Sequence, residues 1–322
     1  MLIKQSKDNF SIAFYNLENL FNVNHNEYTL DKDFTPDGAF QWNKDRYDLK
    51  IHNLSKAISK IGNEHSNFPP VFLGIAEAEN DHVLEDLILS ENLKTYQYDF
   101  VHYESPDERG IDVAFLYQKE FFELNFSDTY TLYLTDNEKN RDYTRDILLI
   151  SGKVFGEPVF IIINHWPSRT NGTKSTENKR IKAAQLTQKI VADIYKENPD
   201  PKIIIMGDFN DVPNSNSIKN ILVTPDFFNP MYELQKEKKG SILHNGKWLL
   251  FDQIIFSNNF LSDKKIQFKK AEVFNEYFLQ EKYGKAKGAP LRTYLGKRYI
   301  GGYSDHFPVC AYLEVKDNSL KQ

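Results

Sequence analysis

The segment 203–211, which reads IIIMGDFND, constrains this chain more than any other part of its sequence. Four apolar residues, three of them β-branched, predict a buried strand that stops at Gly207. Asp208 and Asn210 follow at the carboxyl end of the strand, and residues spaced in this way point to one face of an extended chain. An acid beside an amide is suited to positioning a water molecule or a metal ion next to a phosphate.

Composition favours a large folded core. Of the 322 residues, 40% are hydrophobic and 14% are aromatic, and the many Phe and Tyr residues favour sheet packing. The sequence has no apolar run of about 18 residues that would predict a transmembrane helix, and the segment 1–8 lacks the hydrophobic core of a signal peptide. The single cysteine, Cys310, cannot form an internal disulfide. We therefore expect a cytoplasmic protein without a membrane span, with export open if a signal sequence has been removed.

Charge is distributed unevenly along the chain. The formal net charge of −5 excludes a general basic coat for nucleic acid. The segment 282–298 nevertheless carries six basic residues and no acid, and it leads directly into Ser304-Asp305-His306. Such a run is a solvated loop or a loop that faces a phosphate. In the second interpretation Arg292, Lys297 and Arg298 of this segment bind the substrate, together with Arg169 from outside it.

The predicted elements favour a mixed, mostly antiparallel sheet core with helices outside it. Strands are numerous and several connections are short, which argues against a doubly wound parallel sheet. Polar residues at successive strand ends indicate one cleft built by the whole chain, and hence a single domain spanning residues 1–322. The predicted strands are 10–15, 71–76, 96–103, 111–117, 147–155, 158–164, 203–206, 248–257 and 307–315, and the predicted helices are 43–61, 81–89 and 175–197.

Two of these strand ends carry a candidate for phosphate chemistry. Glu77 directly follows an apolar strand, where an unpaired carboxylate is costly, so it should meet a cation or hydrogen-bond donors. We predict that Glu77 binds a hard divalent metal; the alternative is a surface acid at a helix start. His165 follows another buried strand. It is either a core histidine or a group that stabilises charge on a phosphate or protonates a leaving oxygen.

A second histidine has a predicted carboxylate partner. Asp252 lies in a very apolar run and needs a partner, and His306 is the candidate. An Asp that orients a His fixes its tautomer and favours its protonated form. The alternatives are a cap at a strand start for Ser304-Asp305-His306 and an Asx turn for Asp208 and Asn210. Walker A, dinucleotide-binding, His-Glu-x-x-His and Gly-x-Ser-x-Gly motifs are missing from the sequence.

Taken in order, these motifs resemble the endonuclease/exonuclease/phosphatase superfamily. The resemblance runs from Asn16 to Val309, and Trp166-Pro167-Ser168-Arg169 looks like a bacterial subgroup of predicted nucleases. Each motif is modest, but six in this order at predicted strand ends are specific. The matching motifs are Phe14-Tyr15-Asn16-Leu17-Glu18, Ala76-Glu77, Asn164-His165, Gly207-Asp208-Phe209-Asn210, Asp252 and Ser304-Asp305-His306-Phe307-Pro308-Val309.

The resemblance implies an α/β (α+β) four-layer sandwich of two mostly antiparallel β-sheets flanked by helices, and phosphoester cleavage with Mg²⁺ or Mn²⁺. It implies that Asn16, Glu77 and Asp305 are metal-site residues and that Asp208 and Asn210 orient the attacking water. It further implies an acid–imidazole pair of Asp252 with His306, and His165 as the other histidine. The segment 109–113 departs from the deoxyribonuclease pattern, because it does not clearly supply the acid that pairs with His165; Asp112 either takes that place or is structural.

The function expected from these features is that of a metal-dependent phosphodiesterase, most simply a nuclease that hydrolyses DNA or RNA. The acidic net charge leaves open a phosphomonoesterase or a lipid- or sugar-phosphate hydrolase on the same scaffold, because duplex binding normally needs a broad basic surface. A non-catalytic module that binds phosphate or nucleic acid is the third interpretation. No sequence feature indicates a protein partner.

Overall fold

The computed structural model describes residues 9–24, 30–136, 138–170, 172–263 and 265–316. The segment 1–8, from which we predicted that there is no signal peptide, lies outside the described residues. The strands are β1 (Asn9–Leu20), β2 (Phe72–Ala78), β3 (Tyr98–His102), β4 (Asp112–Gln118), β5 (Phe122–Tyr130), β6 (Leu134–Thr135), β7 (Arg141–Asp142), β8 (Ile147–Val154), β9 (Glu157–His165), β10 (Ile203–Asp208), β11 (Phe227–Phe228), β12 (Ile242–His244), β13 (Lys247–Leu249), β14 (Asp252–Ser257), β15 (Ile266–Val273), β16 (Tyr294–Leu295), β17 (Arg298–Tyr299) and β18 (Val309–Val315). The α-helices are α1 (Lys44–Ile58), α2 (Asn63–Ser66), α3 (Asp81–Ile88), α4 (Glu177–Glu197) and α5 (Met231–Lys236).

Two six-stranded sheets form the centre of the molecule. The first sheet has the order β15-β18-β1-β2-β4-β3 and the second has the order β11-β14-β10-β9-β8-β5. In each sheet the central pair is parallel, β1 with β2 and β9 with β10, and every other pairing is antiparallel. The predicted fold of two mostly antiparallel sheets flanked by helices is therefore confirmed.

Strand β10 shows why its sequence is a continuous apolar run. Ile204 and Met206 belong to the core between the two sheets, whereas Ile203 and Ile205 belong to the core beneath α4. Both faces of the strand are thus buried, and each fully buried side chain of this size contributes about 1.5–3 kcal/mol. The sheets approach closely at Gly74, where an added Cβ would lie 2.8 Å from Met206 Sδ.

Several predicted boundaries were wrong in ways that affect the site. The predicted strand 248–257 is two strands, because Lys247–Leu249 pairs with Ile242–His244 in a hairpin and Asp252–Ser257 joins the second sheet. The predicted strand 71–76 continues to Ala78 and includes Glu77. The helix predicted over 43–61 ends at Ile58. Within the described part of the chain, no helix combines the length and the apolar character needed to cross a membrane.

Candidate functional site

The two parallel strand pairs bring polar side chains together at one end of the sandwich. In the second sheet, Asp208 is in register with His165 on one side and with Asp252 on the other. In the first sheet, Asn16 and Glu77 lie near the carboxyl ends of the adjacent strands β1 and β2. These strand ends open into a cleft of about 360 Å³, the strand-end cleft, whose lining includes Glu77, His165, Asp208 and His306.

Glu77 is directed into this cleft by an irregularity of its strand. Its backbone is in the left-handed region at φ 67°, and the register of β2 shifts between Ala76 and Ala78 against both neighbouring strands. Such a β-bulge re-aims a side chain, and a left-handed non-glycine residue costs of order 1–3 kcal/mol. Glu77 Oε2 accepts a hydrogen bond of 2.8 Å from the Asn19 amide, which leaves Oε1 facing the cleft.

The amide of Asn16 joins the two sheets across the cleft. Its Nδ2 donates to Asp208 Oδ2 at 3.0 Å and lies 3.4 Å from Glu77 Oε1. Its own Oδ1 accepts from the Glu18 amide at 2.9 Å, which fixes the orientation of the side chain. The Asn16 side chain thus contacts one carboxylate from each sheet, Glu77 from the first and Asp208 from the second, and keeps them close together.

His306 has the predicted acidic partner. Its Nδ1 lies 2.7 Å from Oδ2 of Asp252, and its Nε2 lies 3.9 Å from Asp208 Oδ2. Burial alone would lower the pKa of His306, but the carboxylates of Asp252 and Asp208 outweigh burial and raise that pKa well above its usual range. The two carboxylates therefore favour the protonated form of His306, whose Nε2 is directed towards the cleft.

Asp208 accepts hydrogen bonds from its neighbours, and its pKa is raised. Burial and the facing carboxylate of Asp252 raise the pKa of Asp208 to about 6, against the opposing effects of His306 and Asn210. Asp208 Oδ1 accepts a hydrogen bond of 2.9 Å from the Asn210 amide. Asn210 is itself held, because its Nδ2 donates to the Trp166 carbonyl at 3.0 Å. The contact between Asp208 and the Asn210 backbone is thus the Asx turn that the sequence analysis gave as the alternative, and the Asn210 side chain contacts Trp166 rather than Asp208.

His165 lies in the cleft without an acidic hydrogen-bond partner. Its Nε2 is 3.8 Å from Glu77 Oε1 and from Asp208 Oδ2, and its Nδ1 has no hydrogen-bond partner among the described residues. Burial lowers the pKa of His165 well below its usual range, and nearby cations act in the same direction. The suggestion that Asp112 pairs with His165 was wrong, because Asp112 lies 3.3 Å from Nε2 of His102.

Two arginines in the cleft were missed by the sequence analysis. Arg109 lies 3.6 Å from Glu77, and Arg145 is held by Asp107 at 3.0 Å and by the Trp166 carbonyl at 3.2 Å. Both line the strand-end cleft. Their only sequence signal was a basic residue shortly before the strands that begin at Asp112 and Ile147, and this signal is common on any surface.

The four basic residues predicted to bind substrate are found in three different settings. Arg169 donates to the Asn210 carbonyl at 2.6 Å and pairs with Asp211, so it holds the loop after Asp208. Arg292 pairs with Asp305 at 2.5 Å beside the strand-end cleft. Lys297 and Arg298 are exposed on the hairpin of β16 and β17. The structure thus brings none of the four into the lining of the strand-end cleft.

The Oε1 atom of Glu77 is a cleft oxygen that fits a divalent cation. Glu77 Oε1 has only distant partners, the nearest at 3.4 Å, and hard cations such as Mg²⁺ prefer carboxylate oxygens with room for waters. Another group in the described part of the chain has its donor atoms within 4.8 Å of one another: Asp208, Asp252 and His306. There the 2.7 Å contact between Asp252 and His306 already occupies one donor atom of each. Asp305, predicted as a second metal-side acid, contacts Arg292.

Solved structures with the same fold include proteins with different substrates. A humanized D. rerio TDP2 aligns with a TM-score of 0.58 and 14% identity over 95% of this chain and 98% of that one. Mannosyl-6-phosphatase of Bacteroides thetaiotaomicron aligns with a TM-score of 0.57 and 18% identity over 94% and 99%. D. rerio TDP2 complexed with a single strand DNA product aligns with a TM-score of 0.56 and 14% identity over 95% and 98%. At these identities the likeness shows the fold alone.

Sequence comparison gives the family. No curated protein matches the chain. The model of the endonuclease/exonuclease/phosphatase family, however, matches residues 11–315, which include all the strand-end residues described above. This protein therefore belongs to the endonuclease/exonuclease/phosphatase family.

Proposed function

We propose that this protein is a divalent-metal-dependent phosphodiesterase that hydrolyses nucleic acid. Members of its superfamily are metal-dependent phosphoric ester hydrolases. The observation that carries the proposal is the convergence of Asp208, with its pKa of about 6, and the charged His306 on the cleft that contains Glu77. A base and a cation that face one point are the groups needed to activate water and to stabilise a phosphorane-like charge.

Glu77 is the residue that would hold the metal ion, and Asn16 would orient the carboxylates, because its Nδ2 and not its Oδ1 is directed at Glu77 and Asp208. When bound, a divalent ion supplies Lewis-acid stabilisation of charge on phosphoryl oxygens. The bulge at Glu77 and the hydrogen bond from Asn19 position the carboxylate in advance, so little rearrangement is needed.

Asp208 has the properties of the group that positions and deprotonates the water. Its Oδ2 reaches the cleft, where the contact of 3.0 Å with Asn16 orients it, and a pKa of about 6 suits a base that works near neutral pH. His306 donates from Nε2 to a nonbridging oxygen, and Asp252 keeps that proton in place by holding Nδ1. Arg109 and Arg145 bind the remaining phosphate oxygens, and His165 serves as a neutral hydrogen-bonding group.

The rim of the cleft favours a nucleic acid substrate. Tyr143 is 45% exposed and lines the cleft beside Arg145. The Arg141 guanidinium lies 3.9 Å from the ring centre of Tyr133, which is 70% exposed, and 5.4 Å from that of Tyr143. Exposed aromatic rings with interleaved arginines are the surface on which single-stranded bases stack.

A sugar-phosphate monoesterase is the second candidate. The net charge of −5 gives no broad basic surface, and a structure with the same fold is a mannosyl-6-phosphatase. A substrate of this size would need only the centre of the strand-end cleft.

One substrate panel separates these functions. The protein is incubated with a single-stranded DNA oligonucleotide, an RNA oligonucleotide, bis(p-nitrophenyl) phosphate and p-nitrophenyl phosphate, each with Mg²⁺, Mn²⁺ or excess chelator. We expect the protein to cleave the oligonucleotides and the diester. Chelator should abolish this cleavage, and the Asp208→Asn variant should lack it. A preference for the monoester would support the second candidate. Oligonucleotide binding without turnover would indicate a non-catalytic module and contradict the proposal.

A further inference from the structure

A second cleft adjoins the strand-end cleft. It has a volume of about 220 Å³, and its lining includes Glu18, Phe40, Arg292, Tyr294 and Asp305. We call it the aromatic cleft. The two clefts share a wall, because Asn19 lines the aromatic cleft while its amide donates to the Glu77 carboxylate at 2.8 Å. A group attached to a phosphate in the strand-end cleft therefore has the aromatic cleft next to it.

One wall of this cleft is a fixed set of aromatic rings. Phe34 and Phe40 stack with ring centres 4.4 Å apart, and Tyr294 meets Phe40 edge-on at 4.9 Å. The Tyr294 hydroxyl donates to the Phe40 carbonyl at 2.9 Å, which ties the hairpin to this wall. Phe34 and Phe40 remain partly exposed on the cleft side of a well-packed group. Such a wall accepts the flat or apolar face of a ring.

The charged groups of the aromatic cleft are already balanced. Arg292 pairs with Asp305 at 2.5 Å, and Glu18 is backed by the buried Lys50 at 3.8 Å and by the Thr293 amide at 2.6 Å. Two carboxylates therefore face two cations, and no further cation lines this cleft among the described residues. A second phosphate here would meet two carboxylates without an uncommitted cation, which is unfavourable.

One buried nitrogen of the cleft lacks a hydrogen-bond partner among the described residues. Arg292 Nε is buried without a partner among the described residues, and the nearest oxygen of Glu18 is 3.7 Å away, beyond hydrogen-bonding distance. A hydroxyl group between them would accept from Nε and donate to the carboxylate. A phosphate oxygen has no proton to donate, so it would accept from Arg292 Nε but could not donate to the Glu18 carboxylate.

From these contacts we propose that the aromatic cleft binds the neutral, hydroxyl-bearing ring of the alcohol to which the scissile phosphate is esterified. The ring packs against Phe40 and Tyr294, and one of its hydroxyl groups bridges Arg292 and Glu18. The assignment rests on the proposed ester hydrolysis in the strand-end cleft. It makes the substrate a sugar phosphate in the chemical sense, whether that sugar belongs to a terminal nucleotide or to a free carbohydrate.

The test compares substrates with and without such a ring. Thymidine 5′-(p-nitrophenyl phosphate) carries the ring, and methyl p-nitrophenyl phosphate has the same leaving group with a methyl group in place of the ring. Phosphate release from mannose 6-phosphate separates the carbohydrate source from the nucleotide source. The kcat/KM values are measured for the wild type, Phe40→Ala and Arg292→Lys, the latter retaining the charge but losing Nε. Leu295→Ala is the matched control, because Leu295 is exposed on the same hairpin and does not line the cleft.

We expect Phe40→Ala and Arg292→Lys to lower the ratio of kcat/KM for the thymidine substrate to that for methyl p-nitrophenyl phosphate about 10-fold, the scale of one lost stacking contact. Leu295→Ala should keep the wild-type ratio. A parallel fall for both substrates would overturn the assignment.

Calorimetric binding of thymidine 5′-monophosphate keeps the two proposals distinguishable. A wild type that binds this ligand, with weaker binding in Phe40→Ala but no turnover of any ester, would support the ring subsite and refute the hydrolase. Turnover of an ester, together with equally tight binding of thymidine 5′-monophosphate by Phe40→Ala and the wild type, would support the hydrolase and refute the ring subsite. Thermal unfolding of each variant verifies that it is folded.

Discussion

The Oδ2 atom of Asp252 lies 2.7 Å from Nδ1 of His306, although Asp252 begins a strand of one sheet and His306 lies in the loop before a strand of the other. Asp252 is the first residue of β14 and is in register with Asp208, whereas His306 shortly precedes β18. The contact therefore exists only when the two sheets are packed together. It holds Nε2 of His306 3.9 Å from Oδ2 of Asp208, a residue that is in register with both Asp252 and His165.

Replacing Asp252 by Asn should lower kcat at least about 100-fold, because the amide no longer fixes the tautomer or the charge of His306. Steady-state kinetics on a chromogenic diester measures this. Asp112→Asn is the matched control, since Asp112 is a buried acid that contacts another histidine, His102, outside the cleft. Equal losses of kcat in both variants would show that buried Asp–His pairs matter here only for folding.

The pH dependence of activity should show an acidic limb from Asp208. With a pKa of about 6, Asp208 is protonated at pH 5 and ionised at pH 7, so kcat/KM should rise across this interval. His306 must stay protonated, and its pKa lies well above the usual value, so activity should fall only at alkaline pH. Asp208→Asn and His306→Ala should each reduce turnover at least about 100-fold. A flat profile between pH 5 and 7 in the wild type would contradict the role of Asp208.

The stability of the metal-free protein should report the charge of His306. Its folded pKa is raised, so its contribution is fully present below the unfolded pKa of about 6.5 and is lost as pH rises through the folded pKa. Relative to His306→Asn, the wild type should gain about 3–5 kcal/mol near pH 6, because the variant leaves two buried carboxylates without their cation. Urea unfolding between pH 6 and 10 measures the difference. If the stability advantage of the wild type over His306→Asn grew with pH, the result would contradict a raised pKa of His306.

Arg145 and Arg169 should behave differently when each is replaced by Met. Arg145 lines the cleft, so its loss should raise KM about 10-fold or more, the scale of a hydrogen bond to a charged group. Arg169 holds Asn210 and Asp211, so its loss should lower the unfolding midpoint and kcat together. If instead Arg169→Met raised KM alone, the sequence-based assignment of Arg169 to substrate binding would be right.

Much of the fold could be predicted because the strands carry strong local signals. The run from Ile203 to Met206 is apolar on both faces, and this pattern requires cover by a sheet and a helix. The residues Glu77, His165, Asp208, Asp252 and His306 were found because each adjoins such a strand.

Other features depend on contacts that no local pattern encodes. Glu77 adopts a left-handed backbone conformation, which could not be predicted from its residue type. The apolar residues from 248 to 251 could not reveal that the chain leaves one hairpin and enters a sheet at Asp252. Arg145 acquires its place through Asp107 and Trp166, neither of which is near it in sequence. The contacts of Arg145 could not be predicted, because its partners are distant in sequence.

The position of a bound ion tests the account most directly. Crystals soaked in Mn²⁺ would locate the ion by anomalous scattering. We predict a peak about 2.0–2.2 Å from a carboxylate oxygen of Glu77, beside Asn16, with the contact between Asp252 and His306 intact. Glu77→Gln should lose the peak, and Glu108→Gln, an acid lining the same cleft, should keep it. A peak among Asp208, Asp252 and His306, with that contact broken, would contradict the assignment of His306 as the charged donor.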